Sequence, residues 1–241
     1  DRLEKHIKTV VGRYKGRIQA YDVVNEALNE DGSYRKSQWY NTIGEDYIIK
    51  AFEFASQADP NAELYYNDYN IEMPKKREGA IRIIKSIQEK GIKISGVGIQ
   101  GHWHLDMPTL QEIEESIIEF HKLGVQVHLT ELDINVLPKP ENHTGANVGD
   151  SFKYNELMNP YSKGLPDSVQ NQLAARYADF FKIFVKHQDK IDRITFWGVG
   201  DGDSWLNGWP IRGRTNYPLV FDRKYQPKKA FYSIIETAKK K

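Results

Sequence analysis

The chain has 241 residues, 39% hydrophobic and 28% charged, with 18 Gly and 10 Pro, a balance that predicts one packed globular domain over 1–241 rather than a disordered chain. Its 34 Lys+Arg stand against 33 Asp+Glu, and the resulting charge of +1 gives no basic field to attract a nucleic-acid backbone. The absence of Cys excludes disulfides, thiolate metal sites and cysteine nucleophiles, and no apolar run reaches the roughly 18 to 20 residues of a membrane-spanning helix.

Asp1 to His6 are charged rather than signal-like, and apolar residues at helical spacing run from Leu3 to Tyr14. A β-branched run follows at Ile18 to Val24, then a helical pattern at Ile48 to Ala55 that Asp59-Pro60 stops. Glu63 to Asn67 reads as a strand, Ala80 to Ile87 as a helix closed by Gly91, and Ile94 to Ile99 as a strand. Thr109…Glu112 has the form of a capping box opening a helix over Leu110 to Phe120, which Gly124 ends. Val125 to Leu129 is the fourth strand. Asp167…Gln170 caps a helix over Leu173 to Phe184, Ile194 to Gly198 is the fifth strand, and Ala230 to Ala238 the last helix. The charge runs Lys75-Lys76-Arg77-Glu78 and Lys239 to Lys241 read as solvated helix ends.

Helix and strand thus alternate, and strands that are nearly continuous apolar runs predict a parallel sheet covered by helices. Helix-to-strand links are short and strand-to-helix links long, including Asn25 to Asp46, Thr130 to Pro166 and Val199 to Gln226. Ligand sites of α/β barrels and open α/β sheets gather at the carboxyl ends of the strands, where the long links lie. A (β/α)8 barrel has eight strands, and the sequence offers five. The expectation is that about three βα units belong to a preceding segment.

Chemistry concentrates at those strand ends. Asp22-Val23-Val24-Asn25-Glu26 closes the first strand and Leu129-Thr130-Glu131-Leu132-Asp133 the fourth, so a closed barrel would bring two carboxylates to one mouth. Paired carboxyl groups flanking one bond are what glycoside hydrolysis requires. A surface or ion-paired role is the alternative for either glutamate alone. The third strand ends in Gln100-Gly101-His102-Trp103-His104, whose two His face the same way in extended chain. With Glu131 or Asp133 they could ligate zinc, pack as a structural pair, or hydrogen-bond a carboxylate. Tyr69, Trp197, Trp205 and Trp209 offer flat apolar faces suited to sugar rings, with core packing as the alternative. Gly200-Asp201-Gly202 lacks the Lys-Ser/Thr of a phosphate loop.

With those residues assembled, the sequence resembles glycoside hydrolase family 10, the endo-β-1,4-xylanases, along essentially its whole length. Tyr21-Asp22-Val23-Val24-Asn25-Glu26-Ala27-Leu28 is similar to the family's acid/base strand, with Tyr21 where Trp is usual, and Thr130-Glu131-Leu132-Asp133 to its nucleophile motif. The resemblance implies Glu26 as general acid/base and Glu131 as nucleophile, supported by His102 and Asp133. It implies sugar contacts from Asn25, Asn67, Tyr69, Gln100, Trp197 and Trp205. The implied fold is a (β/α)8 TIM barrel of which this chain holds strands 4 to 8, strands 1 to 3 being absent.

The implied reaction is retaining, endo-acting hydrolysis of β-1,4 bonds of xylan by double displacement, with water as second substrate and no metal or cofactor. Partners are then xylan or xylo-oligosaccharides and the missing barrel segment. Because polymeric xylan cannot enter a cell, an extracellular, cell-surface or periplasmic site of action follows. Alternatives are a catalytically silent xylan-binding or scaffold fragment, and a related barrel enzyme acting on β-1,4-glucan.

Overall fold

The computed structural model describes residues 1–140 and 151–239, so the basic end at Lys240 and Lys241 lies outside the described residues. Five strands alternate with the longer helices: β1 (Ala20–Asn25), β2 (Glu63–Tyr69), β3 (Gly96–His104), β4 (Gln126–Asn135) and β5 (Ile191–Phe196). The helices are α1 (Arg2–Arg13), α2 (Gln38–Ile43), α3 (Asp46–Ala58), α4 (Pro74–Glu89), α5 (Leu110–His121), α6 (Asp167–Lys186) and α7 (Lys229–Lys239). The strands form one sheet in sequence order, β1-β2-β3-β4-β5. β1 pairs with β2 and β2 with β3, both in parallel, with Asn25 opposite Asn67 and Tyr69 opposite Gln100. That register sets the polar residues of successive strand ends side by side.

The chain divides into two compact units. The first comprises Asp1–Gln100, Glu112–Leu129 and Lys190–Arg193, and the second Gly101–Gln111, Thr130–Asp189 and Ile194–Lys241. In the first, α4 starts with Pro74 at its N-terminal turn and turns Ala80, Ile83, Ile84 and Ile87 inward at helical spacing, all fully buried. They meet a core that includes Phe52, Leu64, Tyr66, Val97 and Ile99. Each buried Ile contributes about 1.5–3 kcal/mol relative to exposure. In the second unit Leu173, Tyr177, Phe180 and Phe184 form the inner stripe of α6, and Trp103 sets its ring edge-on to Phe180 at 4.6 Å. Lys228, buried, binds Asp201 at 2.9 Å and the carbonyls of Tyr217 and Leu219 at 2.9 and 2.7 Å, which fixes the long connection after β5.

Four sequence expectations need correction. β3 and β4 continue past Ile99 and Leu129, because the ladder runs on through segments in which polar residues alternate with the buried Trp103, Leu132 and Ile134. β5 starts at Ile191 and ends at Phe196, leaving Trp197 and Gly198 outside it. α6 begins at Asp167 itself with Pro166 as its cap, so Asp167…Gln170 makes no capping box, and Gln170 instead donates its side-chain amide to the Leu165 carbonyl. The run Lys75 to Glu78 is a solvated helix end only in part: Lys75 and Glu78 are exposed, but Lys76 is fully buried against Asp68, and Arg77 is bonded to Ser116 and Glu115.

Candidate active site

The first unit gathers Asn25, Glu26, Asn67, Tyr69 and Gln100. Asn25 Oδ1 accepts from Asn67 Nδ2 at 2.9 Å and from Gln100 Nε2 at 3.1 Å, so three successive strand ends are joined by amides. Gln100 also donates to Glu26 Oε1 at 3.3 Å, and Arg35, on the loop after β1, donates to Glu26 Oε2 at 3.3 Å. The same guanidinium donates to the Tyr69 hydroxyl at 2.8 Å. Burial, opposed by Arg35, pushes the Tyr69 phenol up to about 12, so it stays a neutral hydroxyl at any ordinary pH. Beneath it Lys76 holds its ammonium 3.4 Å from the Tyr69 ring centroid and 3.0 Å from Asp68 Oδ1, while Tyr66 donates to the other oxygen of Asp68. Burial pushes the Asp68 carboxyl up, against the pull of Lys76 and Tyr66.

The second unit gathers His102, Glu131, Asp133, Trp197 and Trp205. His102 Nδ1 lies 3.0 Å from Asp133 Oδ1 and Nε2 lies 3.1 Å from Glu131 Oε2. Burial alone would drive the imidazole down, but the Asp133 carboxylate and then Glu131 outweigh it and raise the group to about 9. It is an imidazolium at neutral pH, donating from both nitrogens. The second oxygen of Asp133, fully buried, accepts from Trp205 Nε1 at 2.9 Å. Trp205 sets its ring edge-on to His102 at 4.9 Å and stacks on Trp209 at 4.6 Å with 20° between planes. Trp197 is 46% exposed and stands edge-on to His102 at 6.3 Å, which removes it from the core and leaves an indole face for a ligand.

Both glutamates carry the same backbone signature. Glu26 and Glu131 each have φ 56°, a left-handed conformation that costs a non-glycine residue about 1–2 kcal/mol. Such strain clusters at functional sites because it aims a side chain the regular strand would turn elsewhere. Gly101 lets β3 and β4 close up beside this point, since a Cβ there would meet Leu132 Cδ1 at 2.8 Å.

The zinc alternative meets an obstacle in this geometry: an imidazolium with both nitrogens turned to carboxylates has no lone pair for a cation. His104 closes β3, its N–H bonded to the Met107 carbonyl at 2.8 Å and its carbonyl to Arg176 Nε at 3.2 Å. Among the described residues no group of three or more His, Asp and Glu forms a metal-binding cluster.

The family model of glycosyl hydrolase family 10 matches residues 1–237. The chain belongs to that family. Among curated family members, endo-1,4-beta-xylanase A of Xylanibacter ruminicola is 48% identical over 98% of this chain and 64% of its own length. The beta-1,4-xylanase of Dictyoglomus thermophilum is 44% identical over 98% of the chain and 63% of its own. This chain therefore spans somewhat under two thirds of those relatives. Of solved family structures, a GH10 endoxylanase from a sugarcane soil metagenome aligns with TM-score 0.95 and 51% identity, covering 98% of this chain and 68% of that one. Xylanase 10B of Thermotoga petrophila in complex with xylobiose aligns with TM-score 0.81 and 34% identity, over 98% and 64%. The family fold is a (β/α)8 barrel, and the five-stranded sheet in sequence order is consistent with part of one.

Sequence reasoning missed Arg35 and Lys76. Arg35 sits in a loop with no periodicity, and only its position nine residues after Glu26 could have drawn notice. Lys76 was hidden inside a charge run, although its offset of four and seven from Ala80 and Ile83 places it on the buried stripe of α4.

Proposed function

We propose that this chain carries the acid/base and nucleophile halves of a retaining endo-β-1,4-xylanase. Glu131 attacks the anomeric carbon as Glu26 protonates the leaving oxygen; Glu26 then takes a proton from water, whose oxygen displaces Glu131 and regenerates its carboxylate. The observation that carries this reading is that two glutamates, one just past β1 and one within β4, share one left-handed backbone conformation, each with its own hydrogen-bonded set. Glu26 lies among amides and a guanidinium it must be free to leave when protonated, whereas Glu131 is held by an imidazolium that favours a standing negative charge. His102 and Asp133 act as its support, and Asn25, Asn67, Tyr69, Gln100, Trp197 and Trp205 as sugar contacts.

The family's eight strands against the five among the described residues here, and relatives with about a third of their own length outside the match, support a further reading: strands 1 to 3 come from a preceding segment. The names of the relatives, one of them solved with xylobiose, support xylan or xylo-oligosaccharides as substrate and hence action outside the cytoplasm. Among the described residues no helix is long and apolar enough to cross a membrane.

The test is made on the full-length protein. Glu131→Ala abolishes release of reducing sugar from xylan, and azide restores cleavage of an activated aryl xylobioside with inverted configuration. Retained configuration on rescue rejects the nucleophile. Binding of xylan without release by the wild type favours a silent binding protein, and preference for carboxymethylcellulose a glucanase. Intact mass and cell fractionation read the preceding segment and the site of action.

A further inference from the structure

We propose that Arg35 is a positioning residue that engages Glu26 only in its ionised form and so serves the first, acid-catalysed half of the reaction, in which Glu26 gives up its proton; this rests on the reading of Glu26 as acid/base. The two Glu26 oxygens receive one donor each, Arg35 Nη1 on Oε2 and Gln100 Nε2 on Oε1, both at 3.3 Å. That is the pattern of a carboxylate. A protonated Oε2 carries hydrogen toward a guanidinium that has no acceptor, so protonation breaks the contact. Arg35 is not released with it, because its other amino group remains on the Tyr69 hydroxyl at 2.8 Å. The guanidinium is therefore parked beside Glu26 while the acid form works, and re-engages when the proton has gone to the leaving oxygen.

The loop that carries Arg35 is built to hold that post. Leu28 and Tyr34 form an antiparallel bridge, the Arg35 N–H donates to the Ala27 carbonyl at 2.8 Å, and Arg82 of α4 donates to the Gly32 carbonyl at 2.6 Å. Gly79 lets the loop seat on α4, since a Cβ there would meet the Gly32 carbonyl oxygen at 2.7 Å. The charged and titratable groups facing Glu26 are Arg35 from this loop and Asp68 and Tyr69 from β2; Gln100 of β3 is neutral, and Lys76 of α4 lies against Asp68 and Tyr69.

The experiment compares Arg35→Met and Arg35→Lys with wild type in the full-length protein, using xylan, whose leaving group needs a proton, and a dinitrophenyl xylobioside, whose leaving group needs none. For Arg35→Met the expected result is a fall of roughly 3- to 10-fold in kcat/KM on xylan with kcat/KM on the dinitrophenyl xylobioside retained, since the lost hydrogen bond is one that forms as Glu26 gives up its proton. The loss grows across a series of aryl xylobiosides as the leaving group becomes poorer, because only such leaving groups draw on Glu26 as acid. Arg35→Lys recovers part of each effect. An equal fall on xylan and on the dinitrophenyl xylobioside, a loss that does not depend on the leaving group, or no change on either overturns the proposal while leaving Glu26 as acid/base. A wild type that releases nothing from either substrate overturns the functional reading and the Arg35 role with it.

Discussion

Replacing Asp133 by Asn removes the charge that holds His102 as an imidazolium while keeping the size of the side chain. Raising His102 from the ordinary 6.5 to about 9 corresponds to about 3 kcal/mol that the folded protein gains by keeping that proton. A histidine with a folded value above its unfolded one binds its proton more tightly when folded. The stabilisation is therefore complete below about pH 6.5 and is lost as pH climbs through about 9. His102 is nearly enclosed, with its side chain 12% exposed, so solvent screening discounts the figure little. Asp133 exerts the largest upward pull, and Glu131 remains in the variant, so the larger share of the difference belongs to Asp133. Urea unfolding of wild type and Asp133→Asn, each at pH 6 and pH 10, gives a double difference in which other titrations cancel. The variant is expected to lose more at pH 6 than at pH 10, by the larger share of that figure of about 3 kcal/mol. A loss that is the same at both pH values refutes the charge argument and leaves only the Trp205 Nε1 bond to explain it.

Glu26→Ala is expected to cost at least about 100-fold more on xylan than on a dinitrophenyl xylobioside, whose leaving group needs no proton; initial rates on both substrates decide it, and equal losses reject Glu26 as acid. Lys228→Met strands the Asp201 carboxylate and two carbonyls in a buried setting, and thermal or urea unfolding should show a loss of about 3–5 kcal/mol. Adding Asp201→Leu to that variant should recover part of the loss, and a single variant as stable as wild type would show that water replaces the ammonium.

The order of helices and strands was legible because burial writes periodicity into sequence: α4 and α6 show their inner stripes plainly, and the strand starts follow the apolar runs. Strand ends were not. The continuous apolar run stops at Ile99 and Leu129, but hydrogen-bonded backbone continues to His104 and Asn135, since a ladder needs only its N–H and C=O groups and tolerates polar side chains between the buried Trp103, Leu132 and Ile134. The short helix α2 also escaped notice; its signal is Ser37, whose hydroxyl accepts from the Tyr40 N–H at 3.2 Å and caps the first turn. The chemistry-bearing residues could be named from their motifs, but the relations that give them function join residues too far apart for local sequence to show. His102 reaches Asp133 across 31 residues, Trp205 reaches the same carboxylate across 72, and Arg35 reaches Tyr69 across 34.

The strain at the two glutamates follows from what a strand does to a side chain. In a regular strand alternate residues face opposite sides, so a residue near the strand end is committed to the pleat of its neighbours. A left-handed residue breaks that commitment locally. At Glu26 the break is held by the N–H bond to the Asn67 carbonyl at 2.9 Å, just past the β1 register shift between Asp22 and Val24. At Glu131 the neighbouring Leu132, fully buried, anchors the chain on the far side, with its carbonyl accepting from the Trp197 N–H at 3.1 Å. A conformation costing about 1–2 kcal/mol persists only where such neighbours over-determine it. Substituting Gly at either position would ease the backbone and remove the carboxylate together, so stability and catalysis pull in opposite directions at both sites.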